Sequence, residues 1–221
     1  MIGRRRQSEP LNSSNAAAKA EAKAAKREAR IVNQVQLSLR VAKVPEHPVG
    51  GGTLLTEPIL VFHGKPRHDL CVFDHDSNQI GVARWSPDKP AKLYGYGIYA
   101  ADDEVPLVAI NWRTRGWLPG RGDCSVSDSE GIEIATVARL TSTELTPIMV
   151  GAERIGYLKP PGWKPGRVED NKGRKVARIH DHPPCYVAEI EPSLAGPLRT
   201  VAVVASIICL EKAAKSSGGG G

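Results

Sequence analysis

Between residues 58 and 190 the chain divides into about twelve short apolar or alternating runs, each bounded by turn residues. They fall at 58–63, 69–74, 79–85, 92–100, 105–113, 123–127, 132–139, 145–150, 154–159, 166–169, 174–180 and 185–190. No other feature constrains the fold as much. Runs of this length with period-two alternation read as strands. The 22 glycines and 17 prolines supply the breaks between them and disfavour a bundle of long helices. Regular short spacing predicts an all-β sandwich or barrel. With 221 residues the chain can bury a sizeable core.

A repeat inside these runs explains how they are joined. Val72, Asp74, Ile80 and Gly81 recur as Val126, Asp128, Ile134 and Ala135, and again as Val168, Asp170, Val176 and Ala177. Three residues after each Asp stands a turn former: Ser77, Gly131 or Gly173. The pattern predicts a β-hairpin in which the carboxylate folds back onto the turn amides. The flanking apolar residues then share one core face. The role expected of these aspartates is structural.

The run Leu198 to Lys212 has about ten apolar residues with Ser206 among them. It is too short to span a bilayer. Its β-branched residues suit a core strand. Against this, Leu198, Val201, Val204, Ala205 and Ile208 recur at helical spacing, with Val203 and Ile207 on another face. Pro197 fits a first helical turn. A segment apolar all round must be enclosed by protein, so a central buried helix over 198–212 is the preferred reading.

Charge is unevenly placed. Residues 1–30 carry eight Lys/Arg against three Glu, which accounts for most of the net charge of +6. The body is nearly neutral, which makes nucleic acid an unlikely partner. Residues 1–15 read as a disordered tail. Residues 16–44 read as a basic Ala/Lys-rich helical leader with Asn15 as its N-cap. Its part from 31 onward either extends the helix or forms a first strand. Lys19, Lys23, Arg27 and Arg30 share a helix face. They are either a solvated face or an electrostatic tether to an anionic surface. A Pro/Gly link from Pro45 to Gly52 precedes the main domain, and residues 214–221 read as a flexible Gly-rich tail.

A second repeat is Trp-x-Pro, at Trp85, Trp117 and Trp163, placed by Pro and Gly in loops. Basic neighbours accompany it, among them Arg115, Arg121, Lys164 and Arg167. The rings either cap a barrel end or sit at a bilayer interface, where the cations favour anionic lipid. Trp85, Trp117, Trp163, Arg115, Arg121, Lys164 and Arg167 are therefore the lipid-binding candidates.

The strand count, the Val72-Phe73-Asp74 to Ile80-Gly81 hairpin and the run Arg199 to Leu210 together resemble the tubby C-terminal-like superfamily. That group includes tubby-like proteins, phospholipid scramblases and LURP-one-related proteins. The resemblance covers roughly 53–213. It implies a closed antiparallel barrel of about twelve strands around a hydrophobic C-terminal helix. The lipidated Cys-rich segment and the acidic calcium segment of scramblases have no counterpart here.

Other chemistry finds little support. Asp74-His75-Asp76 starts like a calcium loop but lacks the Gly and Glu that an EF-hand needs. His180, His182 and Cys185, with His68, Cys71 and His75, lack the paired spacing of a metal site. Arg121-Gly122-Asp123 matches an adhesion tripeptide by coincidence. No Walker loop, nucleophile elbow or dinucleotide fingerprint is present. No catalytic residue, metal or cofactor is nominated. Four dispersed cysteines without a secretion signal point to reduced thiols in the cytoplasm. The leading expectation is a non-enzymatic module that binds anionic phospholipid at a membrane surface. The alternatives are a barrel scaffold that binds a protein partner, and an enzyme with its site at the barrel mouth.

Overall fold

The computed structural model describes residues 11–40, 54–86, 93–101, 103–113, 123–138, 145–162 and 164–216. Twelve strands lie between two helices, α1 (Leu11–Leu39) and α2 (Gly196–Ser216). The strands are β1 (Ile59–His63), β2 (Leu70–Phe73), β3 (Gln79–Ser86), β4 (Leu93–Ala100), β5 (Val108–Arg113) and β6 (Cys124–Asp128). They continue as β7 (Glu133–Val137), β8 (Thr146–Val150), β9 (Glu153–Lys159), β10 (Gly166–Asp170), β11 (Lys175–His182) and β12 (Cys185–Ile190). Each strand pairs antiparallel with its sequence neighbours, and β1 closes on β12 to complete a barrel. Closure leaves no sheet edge for another chain to extend.

The repeated hairpins adopt one geometry. Asp74 Oδ1 accepts the amides of Asp76 and Asn78 at 2.9 and 2.8 Å. Asp128 Oδ1 does the same with Glu130 and Ile132, and Asp170 Oδ1 with Lys172 and Arg174. Each turn passes through positive φ at the expected residue: Ser77 at 67°, Gly131 at 81° and Gly173 at 77°. Beside each turn the register shifts opposite Val72/Phe73, Val126/Ser127 and Val168/Glu169, leaving Ile80, Ile134 and Val176 as the extra residues of β-bulges. The extra residue increases the local twist that a closed sheet needs. At Gly81 there is no room even for a methyl, which would clash with the Tyr99 carbonyl oxygen.

Helix α2 fills the barrel. Val201 through Leu210 are all buried. They join inward residues such as Leu60, Phe62, Ile98, Ile110, Val126, Ile148, Leu158 and Ile179 in one core. Pro197 stands in the first turn, just after Gly196 at φ 65°. Arg199 fixes this end of the helix. Its guanidinium donates to the carbonyls of Leu55 (2.7 Å), Glu57 (3.1 Å), Glu191 (3.2 Å) and Leu194 (3.3 Å). Nearby, the buried Glu57 carboxylate faces His75 Nδ1 across 3.7 Å. Burial, more than any neighbouring charge, raises the Glu57 pKa.

Helix α1 differs from the expectation at its start. It begins at Leu11, so Asn15 lies inside it and residues 11–15 are helical. Once the Ala-rich run has nucleated a helix, extending it by a turn costs little, even through Ser13, Ser14 and Asn15. At the other end it runs to Leu39, so the segment from residue 31 extends the helix.

Candidate functional site

The second half of α1 packs on the outside of the barrel. Ile31, Val35 and Leu39 recur every four residues and so share a stripe. That stripe meets the outward residues Ile59 and Val61 of β1, Cys71 and Phe73 of β2, and Cys185 and Val187 of β12. This explains why β1 is buried on both faces: Leu60 and Phe62 face α2, while Ile59 and Val61 face α1. Polar contacts fix the docking. His63 Nε2 donates to Gln34 Oε1 at 3.0 Å. Burial lowers the His63 pKa and so favours its neutral form.

Strand register places Cys71, His63, Cys185 and His182 directly opposite one another across four neighbouring strands. The row lies beneath or beside the end of α1. Burial raises the pKa of both thiols, at Cys71 against the opposing field of Arg27. Protonated thiols are poor metal ligands. Among the described residues no three His, Cys, Asp or Glu side chains converge closely enough to hold an ion. His180 instead pairs with Glu189 at 3.3 Å, and its ring stacks with that of His182 at 6.3 Å between centroids.

The first half of α1 is exposed from Ala16 to Arg30. Lys19, Lys23, Arg27 and Arg30 are all on this free length, with Lys26 beside them and Glu21 and Glu28 interspersed. Between this half and strands β2 and β3 runs a groove of about 540 Å³. Ala20, Ala24, Ile31 and Val32 form its helix wall, and Cys71, Phe73, Ser77 and Gln79 form the barrel wall. Lys23, Arg27 and Glu28 also line it. Basic residues thus stand over a trough that is mostly apolar. Pockets of this size and lining suit small amphiphilic ligands.

Trp85 is less exposed than its motif suggests. Trp85 is on β3 and not in a loop, because the strand continues through Ser86. Its ring is half-buried and lies 5.0 Å from that of Tyr96, which in turn meets Trp112 edge-on at 6.2 Å. Trp85 therefore packs into the core end of the barrel. Trp117, Trp163, Arg115 and Arg121 lie outside the described residues. Lys164 is exposed, whereas Arg167 on β10 is half-buried and engaged by Glu169. Of the three described candidates, Trp85 turns toward the core and Arg167 is already paired.

A crystal structure of a protein from Arabidopsis thaliana is similar at 14% identity and a TM-score of 0.46, over 75% of this chain and 99% of that one. No protein-family model and no curated protein matches the chain. Among the described residues no helix is long and apolar enough to cross a membrane.

The groove was not legible in the sequence. Ile31, Val32, Cys71 and Phe73 come from segments 40 residues apart, and only register and helix docking bring them together. The sole sequence signal was the switch at residue 31 from an Ala/Lys pattern to one with large apolar residues.

Proposed function

We propose that the protein is a non-enzymatic barrel of the tubby-like kind that attaches to membranes carrying anionic phospholipid. The observation that carries this reading is the exposed basic length of α1, with Lys19, Lys23, Arg27 and Arg30 held beside the barrel on which the rest of the helix docks. Each such cation near an anionic surface is worth about 1 kcal/mol, and the attraction fades within a Debye length. Anchoring the helix through Val35 and Leu39 fixes which side of the molecule faces the bilayer. The twelve-stranded barrel around an apolar helix supports the kinship, because tubby-like proteins and scramblases share that architecture and act at membranes.

Co-sedimentation of the full chain with phosphatidylserine and phosphatidylcholine vesicles tests this at low salt. Retention is expected on the acidic vesicles alone. Joint reversal of Lys19, Lys23, Arg27 and Arg30 to Glu should abolish it. Equally low retention on both vesicle types overturns the proposal. A protein-scaffold role would be favoured if partner capture survived deletion of residues 1–30 while vesicle binding was never seen.

A further inference from the structure

We propose that the groove between α1 and strands β2 and β3 is a binding site for a monomeric long-chain fatty acid, its chain in the trough and its carboxylate at Arg27 and Lys23. This goes beyond attachment to a bilayer, because the ligand is a single molecule taken from solution and the site works without a membrane.

Three features of the groove point to this ligand. First, the walls: Ala20 and Ala24 on the helix are small, and Ile31 and Phe73 close the inner end with large apolar surfaces. The small residues leave the trough open along the helix, which suits a slender unbranched chain. The free energy of filling it is hydrophobic and scales with the apolar area covered. Second, the head: Lys23 and Arg27 are one helical turn apart on the groove side. Neither is held in an ion pair among the described residues. Arg27 lines the trough together with Cys71 of the opposite wall. A guanidinium fork matches a carboxylate in geometry. Third, the charge: Glu28 lines the same groove. The lip is therefore Lys23 and Arg27 against one carboxylate, and it balances a monoanion. A multiply charged phosphate head would be opposed by Glu28.

Binding would also steady the exposed half of α1, which has no other covering among the described residues. The ligand would thus order a helix segment while filling the space beneath it.

The test titrates full-length protein with the fluorescent polyene fatty acid cis-parinarate, below its aggregation concentration. Saturable binding at one molecule per chain is expected, with displacement by palmitate and none by hexadecylamine of equal chain length. Arg27→Glu should weaken binding about tenfold or more, as loss of a charge-assisted hydrogen bond implies, and Arg27→Lys by less. Ala24→Trp should block the trough while leaving the melting temperature and vesicle retention unchanged. Parinarate binding that is absent, unaffected by Ala24→Trp, or displaced equally by the amine overturns the site. A dimer that Ala24→Trp disperses and palmitate leaves intact would give the groove to a second copy and overturn it as well. Vesicle retention is read separately, so failure here leaves membrane attachment standing, and the converse holds.

Discussion

The two helices of this protein meet the same sheet from opposite sides, and their sequences differ accordingly. From Val201 to Leu210 helix α2 has no exposed face, and even Ser206 is buried. Helix α1 buries a narrow stripe of Ile31, Val35 and Leu39, with Val32 and the exposed Leu37 beside it, and from Ala16 to Arg30 it is polar or small. The first can exist only where protein surrounds it, and the second only where solvent covers most of it. Strand β1 records both demands, with alternate residues given to each helix. The lesson is that the width of an apolar stripe, more than total hydrophobicity, decides whether a helix plugs a barrel or lies against it.

The sharpest way to break this comparison is to place one substitution in both helices. Val204→Asp puts an unpaired carboxylate inside the filled barrel. It should cost at least about 5 kcal/mol, enough to prevent folding, and appear as lost cooperative melting. Val35→Asp should act locally. It removes a fully buried side chain from the α1 seam and should cost about 3 kcal/mol of docking. Hydrogen exchange should then accelerate in residues 31–39 while β4 to β9 stay protected. Exchange that accelerates across the whole barrel would show that α1 is part of the core and would erase the distinction.

The smallest effect is expected where α2 is anchored. Burial raises the Glu57 pKa, so the folded state holds this proton to higher pH than the unfolded chain does. The stability of the neutral form is fully present below the unfolded pKa and is lost as pH rises through the folded one. Glu57→Gln keeps the site neutral. It should match the parent in acid and exceed it at neutral pH, with the gap opening across that window in denaturant titrations. A gap of the opposite sign would show that pairing with His75 outweighs burial.

Much of this architecture could be read before any coordinates. The strand runs and the Asp-centred turns depend on contacts within about ten residues, so local pattern suffices to place them. Helix α2 was legible because an all-round apolar segment has few places to go. The groove and the Cys71–His63–Cys185–His182 row were not, because the first depends on where α1 docks and the second on the pairing of β1 with the distant β12. Trp85 misled for a local reason: Pro87 suggested a loop, yet strand pairing reaches Ser86, opposite Gly95. The cations that follow it in the sequence lie outside the described residues.

One consequence follows from the place of α2 in the chain. It follows all twelve strands in the chain, yet it occupies the centre of what they enclose. Without it the inward side chains of all twelve staves would line an empty tube, and water there would dissolve the reason for the tube to close. Rim and stopper must therefore assemble in a single step, with the seam between the first and last staves sealing only as the stopper seats. A nascent chain that halts before residue 198 is, on these grounds, a loose ribbon of hairpins awaiting its cork.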